Sequence, residues 1–202
     1  FDSGEADILV GTQILTKGFD FGGVTTVGIL NADNLLTMPD FRASERAYQL
    51  MMQVAGRAGR HSDRGRVVIQ TSQPKHPVIV HVASGDYHSM ARAELAERKA
   101  FGYPPYSHLM RFMLRNKDYT LLHQASHAMA TLLRQKFGSR VMGPVSAALE
   151  MLRGEHRSEI LLKIESGASM KLARKLVREV LAEMTHDSRF KGVTITTDVD
   201  AW

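Results

Sequence analysis

The residues from Gln53 to Arg60 have the types and the spacing that a triphosphate site requires. This segment reads Gln-Val-Ala-Gly-Arg-Ala-Gly-Arg, which places Arg57 and Arg60 three positions apart. A guanidinium group is a permanently charged planar fork that binds phosphate oxygens through paired hydrogen bonds. Arginines aimed at the charge that develops on a transferred γ-phosphoryl group promote phosphoryl transfer. We therefore predict that Gln53, Arg57 and Arg60 belong to a nucleotide site.

A plainer interpretation of the same segment is the end of a helix. Helices often end at glycine, and basic side chains in the last turn interact favourably with the helix dipole. We predict that a helix begins near Ser44 and that Gly56 and Gly59 let the backbone leave it, so that both arginines reach one anion. The neighbouring segments decide between the two interpretations.

A second group of polar residues follows residues 7–10, an apolar segment that is predicted to be a short buried strand. Thr12 offers a hydroxyl group or an amide to a phosphate, and Lys17 offers a positive charge. Asp20 is suited to accept a hydrogen bond from a ribose hydroxyl group or to position the arginines. In open α/β sheets, ligands bind beyond the carboxyl ends of the strands. We expect this segment to lie beside the same ligand.

The elements around these residues resemble one half of a parallel α/β layer. Predicted strands at residues 24–30 and 66–71 enclose the predicted helix, with a predicted loop at 31–41. The sequence contains no Gly-x-x-x-x-Gly-Lys-Ser/Thr phosphate loop and no metal-binding acidic motif after a strand. It therefore supplies half of an ATP site and is expected not to hydrolyse ATP alone. Since the chain opens on a central strand, we expect it to be part of a longer protein.

Composition excludes several classes of protein. The chain has 202 residues, 44% of them hydrophobic and 23% charged, as in globular proteins with one large or two small domains. The sequence contains no apolar run of membrane-spanning length and no signal peptide at its start. The absence of cysteine excludes disulfides and thiolate metal sites here. The spacing of His123 and His127 suggests a solvated helix face rather than a metal site.

Positive charge is concentrated in the second half. Residues 1–101 carry 11 basic and 11 acidic side chains, whereas residues 102–202 carry 15 and 10, so the whole net charge of +5 lies there. The predicted order of elements is βαββαβ, a split-βαβ arrangement of two helices on a sheet. We predict a second module that faces a polyanion, although a well-solvated surface gives the same excess.

Two groups of cations could contact such a polyanion. One lies on a helix predicted at residues 169–186, opposite an apolar stripe of Leu172, Leu176, Val180 and Met184, and the other lies in a predicted basic turn at 153–157. Phosphate contacts from these groups would be independent of sequence and sensitive to salt, whereas the alternative is an ordinary solvated face. The candidates are Lys171, Arg174, Lys175 and Arg178 in the helix, with Arg153 and Arg157 in the turn.

Several segments resemble a known family. Gly11-Thr12-Gln13 with Lys17-Gly18 resembles motif V of superfamily 2 helicases, and residues 53–60 resemble motif VI. More selective segments are Asp-Phe-Arg-Ala-Ser-Glu-Arg at 40–46, Glu-Arg-Lys at 97–99, Tyr-Pro-Pro-Tyr at 103–106, Gly-Pro-Val at 143–145 and Asp-Val-Asp at 198–200. In this order they are similar to the primosomal protein N′ family, the bacterial replication-restart helicases, over the length of the chain.

The resemblance implies a fold and a division into domains. Residues 1–82 would be the end of a RecA-like helicase lobe with a parallel sheet. Residues 83–106 would be a helical connector with a Pro-Pro hinge. Tyr103 and Tyr106 beside the hinge could stack on a base, but we favour the interpretation that they hold one domain against the other. Residues 107–202 would be a C-terminal domain for DNA or partner binding, similar to a small ribosomal subunit protein of βαββαβ topology.

The resemblance also implies roles for individual residues. Gln53, Arg57 and Arg60 would contact ATP, with Arg60 as the arginine finger, and Asp20 would lie near the ribose. The DNA backbone or the edge of the cleft would be lined by Gly11, Thr12 and Lys17. The ATP site, with Mg²⁺, would be completed by an upstream lobe, and zinc would be bound by an upstream cysteine-rich insertion.

The implied activity is ATP-dependent 3′→5′ unwinding of DNA at stalled replication forks, with loading of the replicative helicase. Implied partners are forked and single-stranded DNA, other primosome proteins and the acidic tail of single-strand binding protein. The carboxylate of that tail would suit Arg153 or Arg157 beside an apolar pocket. The expected protein is a cytoplasmic, nucleoid-associated monomer. Two alternatives are a non-enzymatic docking module and a different superfamily 2 helicase.

Overall fold

A computed structural model describes residues 5–12, 24–58 and 65–200. The chain divides into two compact units, Phe1–Glu97 and Arg98–Trp202. Within the described ranges, no helix has both the length and the apolar character needed to cross a membrane. Of the predicted site residues, Lys17, Asp20 and Arg60 lie outside the described residues.

The first unit contains a small parallel sheet and a layer of helices. Strands β1 and β2 pair in parallel, with Thr26 opposite Arg66 and Ile29 opposite Ile69. This pairing confirms the predicted parallel α/β class. The elements that begin in this unit are β1 (Thr26–Ile29), α1 (Asp33–Leu36), α2 (Ala43–Ala55), β2 (Arg66–Ile69), α3 (Pro77–Ser84) and α4 (Tyr87–Phe101), whose last four residues belong to the second unit.

Helix α2 is held in place by one apolar face. Its buried residues recur three or four positions apart, which is the spacing of one helix face. They share a core with residues of α3, which begins at Pro77 and ends at Gly85, a residue with a φ of +68°. This core includes Ala47, Tyr48 and Met51 of α2, Val78, Ile79 and Val82 of α3, and Met90 of α4.

The prediction of a buried strand at residues 7–10 was wrong. The described residues 5–12 have no regular secondary structure, and Ile8 and Val10 are each 80% exposed. A strand requires a neighbour for its backbone hydrogen bonds, and the two described strands of this unit pair with each other. Apolar character without a pairing partner therefore does not produce a strand here.

The predicted loop at 31–41 contains the short helix α1. Its first residue, Asp33, accepts hydrogen bonds from the Thr71 hydroxyl group at 2.5 Å and from the backbone nitrogen of Ser72 at 2.8 Å. These bonds tie α1 to the segment that follows β2. They also hold the pKa of Asp33 below its ordinary value, with the Thr71 hydroxyl group as the largest cause.

The second unit has the predicted βαββαβ order. Its four antiparallel strands lie in the order β4-β5-β3-β6, so the first strand of the unit lies inside the sheet. This arrangement confirms the predicted split-βαβ class. The elements are β3 (Ser107–Asn116), α5 (Tyr119–Phe137), β4 (Val141–Leu152), β5 (Glu155–Glu165), α6 (Met170–His186) and β6 (Thr194–Val199).

Alternation along β3 and β5 builds the core of this unit. Phe112 lies opposite Ile160 in the antiparallel register, and both side chains are fully buried. Residues two positions apart point to the same face of a sheet, and this face is covered by α5 and α6. The Asp118 side chain accepts from the Leu121 amide and begins α5 as predicted, and Gly138 ends it.

The apolar stripe predicted on α6 is correct in its second half and displaced in its first. Val180 and Met184 are buried, but Leu172 is 56% exposed, and the buried positions before Val180 are Ala173 and Val177. Adjacent residues differ by about 100° around a helix, so a shift of one position turns a side chain away from the core. Alanine at 173 lets the helix approach the sheet closely there.

The predicted basic turn at 153–157 is shorter than expected. The turn is formed by Arg153 and Gly154, whose φ values are +55° and +78°. Such a two-residue connection suits the twist of a hairpin. Strand β5 begins at Glu155, and Arg157 therefore lies within a strand, opposite Arg115 of β3.

We expect the substitution Phe112→Ala to destabilise the second unit by about 3–5 kcal/mol, because it leaves a cavity in a core that relaxes only in part. Urea denaturation followed by circular dichroism measures the loss. The matched control is Phe101→Ala, since Phe101 is 63% exposed; we expect it to cost less than about 0.5 kcal/mol. Equal losses for the two variants would contradict the proposed core.

We expect Asp33→Asn to lower the melting temperature at neutral pH. A carboxyl group whose pKa is lowered by folding stabilises the protein above the unfolded value of about 3.9, and this contribution is lost as the pH falls through the folded pKa. Melting curves of variant and wild type should therefore differ at pH 7 and converge in acid. Asp7→Asn, in the exposed segment 5–12, is the control and should show no difference at either pH.

Candidate nucleotide and nucleic-acid sites

The C-terminal end of α2 presents two of the predicted nucleotide residues. Gln53 is exposed in the last turn of α2, and Arg57 is half-buried two residues beyond Ala55, the last residue of the helix. The backbone continues in a tight turn beyond the helix, since the Arg57 amide donates to the Val54 carbonyl at 3.0 Å and the Ala58 amide donates to the Ala55 carbonyl at 3.1 Å.

Gly56 is the C-cap of α2, so the backbone leaves the helix at this residue as predicted. Its φ is −64°, in the right-handed helical region, and its amide donates to the Met52 carbonyl at 2.9 Å. A Cβ atom at this position would lie 3.4 Å from the Met52 carbonyl oxygen, which is close to ordinary contact. The helix therefore ends here without a left-handed glycine conformation, and the expected convergence of both arginines on one anion stays a prediction. Gly59, the other predicted exit, lies outside the described residues.

The N-terminal end of α2 is fixed by a contact that the sequence did not reveal. The Asp40 carboxylate accepts from the Arg42 amide at 2.9 Å and forms an ion pair with Arg46 at 2.5 Å. An acidic side chain that binds backbone amides at a helix start stabilises that start. The selective segment 40–46 therefore positions the helix that carries Gln53 and Arg57. The signal was an aspartate shortly before a helix and an arginine one turn inside it.

Of the motif V residues, the structure describes Gly11 and Thr12. Gly11 and Thr12 are exposed and belong to neither a helix nor a strand. Among the described residues, the predicted nucleotide set is thus represented by Gln53 and Arg57. The nucleotide-binding role of Arg57, half-buried just beyond α2, stays a prediction.

The four cations predicted on α6 are all exposed, on the side away from its buried stripe. Ser169 begins the helix, since its hydroxyl oxygen accepts from the Leu172 amide at 3.3 Å. Helical spacing of three or four residues places neighbouring cations on one surface. This face, hereafter the α6 basic face, consists of Lys171, Arg174, Lys175 and Arg178.

The α6 basic face lies near a carboxylate at the end of β6. Burial opposes ionisation of Asp200, yet its pKa lies below the ordinary value because Leu109 and His108 donate hydrogen bonds to it at 2.8 and 2.9 Å. The charge of Arg174 adds to this effect. Arg174 therefore has a partly compensating anion near it.

The remaining predicted cations are Arg153 and Arg157, and they do not share a loop. Arg153 is exposed at the hairpin turn, and Arg157 is half-buried in β5.

Two of the selective family segments support this hairpin and its sheet. Gly143 has a φ of +91°, and a Cβ atom there would lie 2.7 Å from the Glu159 carbonyl oxygen, so glycine is required. Asp198 pairs with Arg111 at 3.1 Å.

The end of the predicted connector is bound to the second unit. The Lys163 ammonium group donates to the Phe101 carbonyl at 2.8 Å and lies 3.7 Å from the centre of the Tyr103 ring. Burial lowers the pKa of Lys163. The Ser107 hydroxyl group donates to the Gly102 carbonyl at 2.7 Å. Tyr103 thus packs within this unit, and its predicted role in holding one domain against another stays a prediction.

Sequence reasoning missed a cluster of rings around His156. Tyr119, His123 and His127 recur every fourth residue on α5, and the Tyr119 ring lies 5.4 Å from the His156 ring of β5. Rings at every fourth position were a signal for a cluster on one face of α5. The sequence could not show that His156 of β5 lies against that face. In the part of the chain that the structure describes, no group of three or more His, Cys, Asp or Glu residues could hold a metal ion.

Two family models match the chain. The primosomal protein N C-terminal domain matches residues 99–202, about half of the chain, and the helicase conserved C-terminal domain matches residues 1–62. These matches agree with the resemblance inferred from the motifs and lie in the predicted order along the chain.

Curated relatives extend this similarity to nearly every residue. The Replication restart protein PriA of Treponema pallidum is 41% identical over 202 residues, which is 99% of this chain and 30% of that protein. The protein of the same name from Synechocystis sp. is 37% identical over 89% of this chain and 22% of its own length. The one from Bacillus subtilis is 33% identical over 100% of this chain and 25% of its own length.

The chain therefore spans between a fifth and a third of the length of these relatives. The model of the primosomal protein N C-terminal domain covers the βαββαβ unit. With both models matched in order, the chain belongs to the primosomal protein N′ family of replication-restart helicases and corresponds to a C-terminal part of its members.

Proposed function

We propose that the chain is the C-terminal part of an ATP-dependent 3′→5′ DNA helicase that recognises stalled replication forks, unwinds duplex DNA and promotes primosome assembly and replicative-helicase loading. The observation that supports this proposal most strongly is the motif at residues 53–60. Its described residues Gln53 and Arg57 project from the end of a well-packed helix. Arginines beside a transferred phosphoryl group stabilise the charge of the transition state.

In this proposal the chain supplies one half of the ATP site. Gln53, Arg57 and Arg60 contact the nucleotide, with Arg60 as the arginine finger and Asp20 near the ribose. ATP with Mg²⁺ is held jointly with an upstream lobe, so the chain alone is inactive as an ATPase. Zinc is bound elsewhere in the full-length protein. Gly11, Thr12 and Lys17 lie along the DNA backbone.

The second unit provides a DNA-binding surface in this proposal. The α6 basic face and Arg153 of the hairpin turn are exposed, and Arg157 adds a half-buried cation. Cations at such positions bind phosphates without reading sequence, which suits a protein that recognises fork structure. We place the functional boundaries at 1–82 for the helicase lobe, 83–106 for the connector and 107–202 for the C-terminal domain.

Proposed protein partners follow from the family. They are the acidic C-terminal tail of single-strand binding protein, other primosome proteins and the replicative helicase. Arginine is the side chain best suited to the terminal carboxylate of the tail, which makes Arg153 and Arg157 candidates for it. The proposed protein is a monomer that acts in the cytoplasm, associated with the nucleoid.

We expect Arg60→Ala in the full-length protein to reduce DNA-stimulated ATP hydrolysis by about 10³–10⁵-fold, because an arginine finger stabilises charge in the transition state. DNA binding should be retained, as measured by fluorescence anisotropy. Arg92→Ala, at an exposed position of α4, is the control and should hydrolyse ATP like the wild type. Wild-type turnover by Arg60→Ala would reject the catalytic role and favour a docking module.

Replacing the four residues of the α6 basic face by alanine should weaken the binding of forked DNA and flatten its dependence on salt. Each lost phosphate contact reduces the slope of log K against log salt by about 0.9 on duplex DNA. The measurement is anisotropy of the 202-residue chain with forked DNA at several salt concentrations. A control variant replaces Arg66, Lys75 and Arg92, which are exposed cations of the first unit. An unchanged slope in the α6 variant would mean that this face is merely solvated.

A further inference from the structure

A cleft of about 200 Å³ lies between the first turns of α5 and the β4–β5 hairpin. It belongs entirely to the second unit and is separate from the α6 basic face in sequence. Its lining includes Tyr119, His123, Ser126 and His127 from α5, together with Glu150 of β4 and His156 of β5. We refer to it as the ring-lined cleft.

The rings in this cleft form a connected series. Tyr119 and His156 are 5.4 Å apart between ring centres with an edge-to-face angle of 71°, and Tyr119 and His123 are 6.2 Å apart. His123 and His127 are 4.3 Å apart and tilted by 40°. Tyr119 is nevertheless 53% exposed, so much of its surface is available for a further ring. Aromatic faces that remain open in this way are suited to stacking.

One polar atom in the lining has no partner among the described residues. It is Nδ1 of His156, which is shielded from solvent. Buried polar groups are nearly always hydrogen-bonded, so an atom of this kind marks a place where a ligand, or a turned ring, would supply the bond. This atom belongs to a ring that lies beside the exposed Tyr119 ring, because the His156 and Tyr119 rings are in contact.

The other polar groups in the lining can accept hydrogen bonds but offer little net charge. The Ser126 hydroxyl group donates to the His123 carbonyl at 3.0 Å, which leaves its oxygen free to accept. Glu150 contributes a carboxylate, and the formal cation among the lining residues is Arg157, which belongs to the half-buried strand β5. Glu150 offsets the attraction that Arg157 offers to a carboxylate ligand, so the lining does not favour an anion. An uncharged ring with hydrogen-bond donors on its edge fits this lining better.

We propose that the ring-lined cleft binds an unpaired nucleobase of single-stranded DNA. The base stacks on Tyr119 and His123, and an exocyclic amino group donates to Glu150. Stacking on aromatic side chains is the usual way in which proteins bind unpaired bases, because every base has a π-face. This inference rests on the proposed DNA-binding function and adds to it a contact that does not depend on phosphate charge.

The first test is NMR of the 202-residue chain with deoxycytidine as the probe. Deoxycytidine has no phosphate, so it reports on the cleft without the α6 basic face. We expect its addition to shift the signals of residues lining the cleft, including Tyr119, His123 and His156, and to leave α6 unchanged. Absence of shifts in the cleft would overturn the inference.

The second test measures the affinity of oligodeoxycytidylate by fluorescence anisotropy for Tyr119→Ala. Loss of one stacked base should weaken binding about 5- to 150-fold, without change in the salt slope. Tyr119→Phe should bind like the wild type. The matched control is Tyr87→Ala, because Tyr87 is 54% exposed on α4. Equal effects of the two alanine variants would overturn the inference.

The two tests also separate this inference from the proposed function. If deoxycytidine shifts the cleft but the α6 variant keeps the full salt slope, the cleft is supported and the phosphate-binding role of α6 fails. If the α6 variant behaves as expected but the cleft does not respond, the inference alone fails. Cleft shifts with an acidic peptide that has a free carboxylate, and none with deoxycytidine, would assign the cleft to a protein partner and overturn the inference.

Discussion

The second unit depends on the burial of one strand, β3, between β5 and β6. Both edges of β3 are paired, and Phe112 and Leu114 on its helix-facing side are fully buried. A central strand of this kind fixes every neighbouring element, because its register sets which residues of β5 and β6 face the helices. Asp200, which follows β6, also helps to hold β3 in place, since its carboxylate accepts a hydrogen bond from the Leu109 amide near the start of β3. The positions of α5 and α6, and therefore of the ring-lined cleft and the α6 basic face, follow from this arrangement.

Much of the fold was predictable because its signals are local. The side chain of Asp118 caps α5 and Gly138 ends it, and both residues could be recognised within a few positions of the helix. The errors arose where the decisive partner is distant in sequence. Residues 7–10 have the apolar character of a strand but no described strand to pair with. On α6, stripes through Leu172 and through Ala173 are both amphipathic, and only packing against the sheet selects Ala173.

The candidate sites also differ in how far their residues could be brought together from the sequence alone. Gln53 lies in the last turn of α2 and Arg57 lies two residues beyond its last residue, so the sequence alone could place both near the same helix end. The ring-lined cleft instead joins α5 to His156, which the chain reaches only after β4 and the hairpin turn. The helix half of that cluster looked like a solvated face, because a row of exposed histidines gives no indication of a strand opposite it. Predicting contacts between separate elements requires the register of the sheet, which cannot be read from a single sequence.

The segments that identify the family and the segment that would perform chemistry are different. Asp40 fixes the start of α2, Gly143 permits the close approach of β4 to β5, and Asp198 pairs with Arg111 across the sheet. These residues stabilise structure, so they would be retained in any protein that keeps this fold, whether or not it hydrolyses ATP. The motif at 53–60 has the opposite character, since Gln53 is exposed and its loss would cost the core little. Selection for stability alone would not preserve a glutamine and two arginines at these spacings. Their presence together in this chain is therefore a stronger argument for a nucleotide-dependent role than the much longer similarity that surrounds them.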